Sequence, residues 1–473
     1  MIPPVLAALA ALSLALAGVQ SALAERAPAS PVVSGVPWYD QDGKTVSARG
    51  AGILREGDRF YLFGEFKQDH GNAFVGFACY SSPDLATWTS EGIALPPQPD
   101  GRLGPGRVGE RPKVLKNPRT GEFVMFMHTD DAGYKDPAVG YATSPVVTGP
   151  YTFQGPLLFD GSIVKKWDMG VFQDDDGAGY LVTHSGNLYR LADDYKSVTA
   201  QVVKAMTPHC EAPALFKRDG LYYWLGSGLT AWERNDNEYF TAPSLSGPWT
   251  PRGHFAPTGT LTWNSQTTFV LPVVGTETTT YVFMGDRWAH PRQNSAATYV
   301  WQPLRFERDG AIRLPEFVPG WTIDVRTGRW EAAPPEGKLI DIHQMEGVRY
   351  SEDWQPCTDA GGRSDLRSDK KGAVLTIPFT GTRIGLHGVA RSDGGFGRLT
   401  LADAKGDVVL SSIIETYCLY DEASLKFLSP KLKHGDYTLT VTVLGERFFW
   451  QAKKAAFGSK GDFVSVQKIL LVD

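Results

Sequence analysis

The sequence predicts an all-β protein, a five-bladed β-propeller followed by a β-sandwich of the jelly-roll type. Three observations predict it. A strand–turn–strand motif recurs five times between about residue 45 and residue 305. The chain holds 13 Trp, 18 Tyr and 24 Phe beside 51 Gly and 32 Pro, a composition suited to many short strands joined by tight turns. Beyond the Pro-rich stretch AAPPEGK the motif stops and a different alternation begins.

The segments follow in order. Residues 5–17 are almost wholly apolar and are followed by Ala22-Leu23-Ala24, so residues 1–24 read as a cleaved secretory leader. The protein is therefore expected to be secreted or periplasmic, with no membrane attachment once the leader is gone. The propeller is assigned to residues 25–330. Its copies open with GAGILREGDRFYLFGE, RPKVLKNPRTGEFVMFMH, MGVFQDDDGAGYLVTH, APALFKRDGLYYWLGSG and TTFVLPVVGTETTTYVFMGD. The turns NPRTGE, DDDGAG and KRDG are hairpin chemistry. A spacing of about 45–60 residues suits one four-stranded blade per copy. Residues 331–338 read as a linker and 339–473 as the sandwich, whose strands alternate between Gly-, Asp- and Lys-containing turns.

Composition narrows the function. A net charge of −5 argues against nucleic acid as a partner. Cys79, Cys210, Cys357 and Cys418 lack metal-ligand spacing, and export permits a disulfide, for which Cys357 and Cys418 are the candidate pair. No nucleophile elbow, zinc-protease signature, P-loop or dinucleotide fingerprint is present, so neither cofactor nor metal is expected.

The chemistry lies in the phase of the repeat. The residue just before the apolar run is Arg49 in the first copy, then Glu110, Asp168, Glu211 and Gln266. Innermost propeller strands run along the axis, so these positions are expected to form a ring at one end of the channel. Strand-start carboxylates also cap turns, which is the competing structural reading. Converging carboxylates are what glycoside hydrolysis needs: one carboxyl kept protonated as general acid, and a second group to orient or deprotonate water. Arg49 cannot accept a proton, which leaves Gln266 and Glu110 for the water. Gln266 is expected on the water side, opposite Glu211.

The motifs GVPWYDQDGK, ERPKVL, FMHTDDAGY, DMGVFQDDDG, EAPALFKRDGLYYWLGSGLTAW, SLSGPW, SQTTFV and MGDRW resemble glycoside hydrolase family 43, and within it the exo-β-1,3-galactanase branch. The resemblance runs from about residue 36 to residue 305. It implies an inverting enzyme acting on an oligo- or polysaccharide, a β-galactan in this branch. Glu211 would be the general acid, Asp168 the group that tunes its pKa, Gln266 the group handling water and Glu110 a holder of the sugar. Glu65, Tyr134, Trp232 and Trp288 match sugar-contacting positions, and Arg49 joins them as a substrate-binding candidate. Arg49 stands where the family usually carries an Asp base, and where this branch more often shows His. The C-terminal sandwich resembles galactose-binding-like domains that bind glycan or buttress a catalytic domain. Every ring residue precedes the linker, so the sandwich is expected to be dispensable for the chemistry. Two rival readings are an α-L-arabinofuranosidase or β-xylosidase of the same family, and a non-catalytic glycan-binding propeller.

Overall fold

The structure, a computed structural model of the chain, describes residues 30–358, 362, 364–451 and 455–473. The expected leader lies outside the described residues.

Five sheets follow the five copies. Blade 1 is Arg49–Glu56, Arg59–Glu65, Phe77–Ser82 and Thr89–Leu95. Blade 2 is Arg107–Lys116, Phe123–Asp131, Ala138–Ser144 and Thr152–Pro156. Blade 3 is Met169–Gln173, Gly179–Thr183, Asn187–Leu191 and Val198–Val203, widened by the short hairpin Leu158–Phe159 and Ser162–Ile163. Blade 4 is Cys210–Arg218, Leu221–Gly228, Glu238–Ala242 and Thr250–His254, and blade 5 has three strands, Gln266–Val274, Thr279–Arg287 and Thr298–Pro303. The innermost strands neighbour one another in a closed circuit, blade 5 returning to blade 1. At the closure Val32–Val33 pairs with Gly320–Asp324, and the Gly35 N–H donates to the Tyr299 carbonyl at 2.7 Å. The blade 4 hairpin shows how locally the fold is written: Asp219 and Gly220 have φ of 50° and 77°, the left-handed pair that a two-residue type I′ turn requires.

Most aromatics fill the wedges between blades. Phe63 and Phe77 of blade 1, for example, pack with Phe123 and Met125 of blade 2. Trp38, Trp88 and Trp301 meet where the last blade joins the first.

The ring positions coincide with a backbone device. The inner strand slips register just after the ring residue in blades 1, 2 and 4, between Arg49 and Gly52, Glu110 and Lys113, and Glu211 and Ala214. The residues that follow, Gly50, Arg111 and Ala212, have φ of 59°, 52° and 52°. A bulge of this kind re-aims the side chain beside it, and Glu110 and Glu211 come to line one cavity at an end of the axis. The phase of the sequence repeat is thus a phase of backbone geometry.

The sandwich packs a sheet of Lys338–Asp341, Lys468–Val472, Arg383–Ala390 and Glu422–Leu428 against a five-stranded sheet that includes Val374–Gly381, Gly435–Val443 and Phe396–Asp403. Leu375, Leu386, Leu439 and Ile469 lie in its buried core. Cys357 and Cys418 are free thiols, so the expected pairing is not made. Cys357 lies on a separate three-stranded sheet, while Cys418 is buried just beyond the strand Val408–Glu415.

The two parts are not independent. Trp232 and Trp288 of the propeller share one core with Phe396, Ile413, Tyr417 and Phe448 of the sandwich. Buried polar pairs cross the junction: Arg234 with Glu415 at 2.6 Å, the Tyr417 hydroxyl donating to Glu233 at 2.7 Å, and Arg287 with Glu422 at 3.2 Å. Removing one partner of such a pair leaves an uncompensated buried charge. Arg234→Ala is expected to lower stability by about 3–5 kcal/mol, read from urea denaturation of the full chain. A loss below about 1 kcal/mol would mean that the junction is hydrated and loose.

Candidate functional site

The ring encloses one end of a cavity of about 830 Å³. Its innermost residues are Glu65, Gln266 and Trp288, each about 2% exposed. Beneath them the axis is plugged: Lys113 and Arg49 are fully buried, and Asp286 is 1% exposed.

Arg111 organises the floor. Its Nε lies 2.8 Å from Asp168 Oδ1, its Nη2 donates to Gln266 Oε1 at 2.8 Å, and its backbone N–H donates to Glu65 Oε1 at 2.9 Å. Trp288 Nε1 donates to the same Gln266 oxygen at 2.9 Å. Two donors on that oxygen fix the amide orientation, so Nε2 faces Glu211 Oε1 at 3.2 Å, Ser227 Oγ at 3.1 Å and the Ala231 carbonyl at 3.1 Å.

The ring carboxyls have been driven apart in acidity. Glu211 is raised well above the ordinary range, first by burial and then by the negative charge of Asp168, against the pull of Arg111. Burial also pushes Glu110 up, but Lys67, His128 and the Tyr134 hydroxyl outweigh it and hold the carboxyl well below the usual range. Lys67 Nζ lies 3.2 Å from Glu110 Oε1 and 2.9 Å from Glu65 Oε2, and the Tyr134 hydroxyl donates to Glu110 at 2.9 Å. Glu65, which shares that lysine with Glu110, is raised by burial. His128 lies between Glu110 and Asp130, at 3.3 and 3.1 Å. Burial lowers its pKa, but those carboxylates push it up to about 9, so it carries a proton at neutral pH. Glu110, His128 and Asp168 offer ligand atoms within 4.8 Å of one another, and a divalent cation there would have to displace the His128 proton. A second such set, His209, Cys210 and Glu238, lies at the same end of blade 4.

This constellation lies inside a recognisable family. The profile of Glycosyl hydrolases family 43 matches residues 46–310, which hold all five blades. The chain belongs to glycosyl hydrolase family 43. Among solved family 43 structures, the exo-β-1,3-galactanase of Phanerochaete chrysosporium with galactose is 28% identical, covers 93% of this chain and all of that one, and superposes with a TM-score of 0.67. The exo-β-1,3-galactanase of Clostridium thermocellum is also 28% identical, over 73% of this chain and 86% of that one, with a TM-score of 0.59. The chain is 26% identical over 235 residues to a β-D-galactofuranosidase of Aspergillus niger, matching 46% of this chain and 64% of that protein. It is 25% identical to an arabinoxylan arabinofuranohydrolase of Bacillus subtilis, matching 37% of this chain and 41% of that protein. The match thus spans less than two thirds of either of these last two proteins.

Within the family 43 cavity the structure brings together Glu65, Glu110, Tyr134, Asp168, Glu211, Trp232, Gln266 and Trp288. Two expectations need correction. Arg49 does not reach the cavity: it is fully buried behind it, stacked over Tyr299 and bonded to Tyr299 Oη and to the Val46 and Ala297 carbonyls. Its bulge turns the guanidinium into the core of the last blade, so it braces the closure. Gln266 does not stand opposite Glu211 but within hydrogen-bond reach of it, because Arg111 and Trp288 fix its oxygen and leave its nitrogen facing that carboxyl.

Lys67, Arg111, His128 and Asp130 were not singled out from the sequence. For His128 a usable signal existed, because the second strand of a blade repeats the phase of the first. Arg49 lies opposite Glu65, Glu110 opposite His128, Glu211 opposite Ser227 and Gln266 opposite Asp286. Reading the ring across the hairpin finds a second polar ring. Trp450 and Phe457, also in the cavity wall, come from the sandwich, where no propeller periodicity reaches.

The pairing of Asp168 with Glu211 fixes a pH response. A neutral residue at 168 removes the anion that disfavours ionisation of Glu211 and leaves Arg111 free to favour it, so the acid deprotonates more readily. Asp168→Asn is expected to move the alkaline limb of kcat to lower pH. A limb that stays in place or rises would break the assignment.

Proposed function

We propose that this chain is an exo-acting, inverting hydrolase of β-1,3-linked galactan. The observation that carries the reading is the placement of Glu211 in a family 43 cavity beside Asp168, where burial and that anion raise its pKa well above the ordinary carboxyl range. Such a group can donate a proton to the leaving glycosidic oxygen near neutral pH. The exo assignment draws on the likeness to the exo-β-1,3-galactanases. Aromatic walls at Trp232 and Trp288 suit the C–H face of a pyranose, and the ionised Glu110 with Lys67 and Tyr134 suits its hydroxyls. The galactan assignment draws on similarity to the Phanerochaete chrysosporium exo-β-1,3-galactanase, also solved with β-1,3-galactotriose and 28% identical to this chain. Arg49 in the first-blade position supports it against the arabinofuranosidase reading, which would need a carboxylate base there.

Glu110, held by Lys67, His128 and Tyr134, is a weak proton acceptor, so we assign it to sugar binding. Gln266 then steers Glu211 in the free enzyme. A sugar entering between them breaks their hydrogen bond, and the freed Nε2–H is left to hold the attacking water, which adds to the anomeric carbon as the C–O bond protonated by Glu211 breaks and then gives its proton to solvent. The apolar leader favours an exported enzyme, for which N-terminal sequencing of the exported protein is expected to begin near Glu25.

Glu211→Gln is expected to lower turnover of β-1,3-galactan by about a hundredfold to ten-thousandfold, and much less for an aryl galactoside with an acidic leaving group. Proton NMR of the first product is expected to show the α-anomer of galactose. A β-anomer would falsify inversion, and full activity of the Gln variant on the polysaccharide would remove Glu211 from its role. Gln266→Ala is expected to lower kcat about a hundredfold or more. Near-normal turnover of that variant would transfer the water to Glu110.

A further inference from the structure

The hydrolase reading accounts for the propeller end of the cavity but not for its outer wall. That wall includes a hairpin of the sandwich, Phe449–Gln451 paired with Ala456–Gly458. Trp450 and Phe457 are directly opposite one another across the two strands, so their side chains share one face. Both line the cavity and both remain partly exposed. The hairpin is fixed to the propeller rather than free: the Phe449 N–H donates to the His290 carbonyl at 3.2 Å, and His290 Nδ1 lies 2.6 Å from the Phe449 carbonyl. Burial holds His290 below its ordinary pKa, so the neutral ring can donate from Nδ1. Trp450 continues an aromatic run outward from the floor. Trp288 is 2% exposed and lies 6.2 Å from Trp232; Trp232 is 8% exposed and lies 4.2 Å from Trp450.

We infer that Trp450, backed by Phe457, is the platform of a sugar subsite on the leaving-group side of the cleaved bond, so that the sandwich is part of the active site. The inference rests on the hydrolase reading above. The terminal sugar must lie at the buried end, where Glu211 is, and the remainder of the chain then has to leave past the hairpin. A partly exposed indole held on its neighbours suits the apolar face of the next sugar units, since little side-chain entropy is lost when they stack. The ligand class is a β-linked galacto-oligosaccharide of two or more units. A single galactose needs only the floor.

The test compares the full-length chain with Trp450→Ala and Phe457→Ala, on β-1,3-galactotriose and on an aryl β-galactoside. Trp450→Ala is expected to lower kcat/KM for the trisaccharide about tenfold, mainly through KM, and to lower that of the aryl galactoside much less. Phe457→Ala is expected to act in the same sense and more weakly, and it serves where Trp450→Ala fails to fold. In a Glu211→Gln background, calorimetry is expected to show weaker binding of the trisaccharide with the affinity for galactose nearly retained. Equal losses on both substrates, or equal weakening of both ligands, would mean that Trp450 only props Trp232, and the subsite is overturned. No loss on the trisaccharide overturns it too. A wild-type chain that hydrolyses neither substrate defeats the hydrolase reading itself and the subsite with it, an outcome distinct from any effect of the variants.

Discussion

The site depends on one side chain, the Arg111 guanidinium. It lies between Asp168 and Gln266, and its own backbone N–H holds Glu65. Burial would by itself disfavour its charge, but Asp168, Glu65 and Asp286 together keep it protonated. That placement requires φ of +52°, an uncommon value for a residue with a Cβ. The bulge after Glu110 produces it. The same local distortion therefore turns Glu110 into the cavity and sends Arg111 across the floor. Without that cation, Asp168 would lose its partner and Gln266 could rotate its amide.

A protein interior resists packing several charged groups together, and this one resolves the conflict by giving each carboxyl a different environment. Glu110 collects Lys67, His128 and Tyr134 and stays ionised. Glu211 has neutral donors, the Gln266 amide and backbone N–H groups, with the weaker pull of Arg111; it faces the anion of Asp168, and its pKa is raised well above the ordinary range. Lys113, buried in the axis beside Arg111, is pushed down to about 7 by burial and by that neighbouring cation. The opposite shifts of Glu110 and Glu211 are thus a consequence of where the cations fall.

The blades and the ring were legible because both follow from periodicity. Hairpin turns such as Asp219-Gly220 announce themselves, and a fixed phase in five copies means a fixed place around an axis. The periodic argument failed where a residue's partner is set by something other than phase. Arg49 has the phase of the ring but turns to Tyr299, since an arginine can reach a buried hydroxyl and two carbonyls that a short side chain cannot. Gln266 has the right phase too, yet what its amide faces is decided by Arg111 and Trp288, from blades 2 and 5. The cross-strand partners were legible in principle, since register carries phase from one strand to the next.

The docking of the sandwich on the propeller was not legible for a different reason: nothing in a one-dimensional repeat encodes the packing of a second domain. Two lines of contact carry the sandwich into the site. One is the hairpin bearing Trp450. The other runs through Glu422, which pairs with Arg287, whose Nε and Nη2 donate to the Asn264 and Trp263 carbonyls. Those carbonyls belong to Leu261–Asn264, where four successive residues have φ between 52° and 57°. A left-handed turn of non-glycine residues is costly and persists only where its surroundings hold it. It delivers the chain to Gln266 two residues later. The Ser265 hydroxyl, the Thr262 side chain and Arg287 supply that restraint from the propeller, and Glu422 anchors Arg287 from the sandwich. The sandwich therefore contributes to the cavity wall through its hairpin and, through the Glu422–Arg287 pair, to the support of the turn that precedes Gln266.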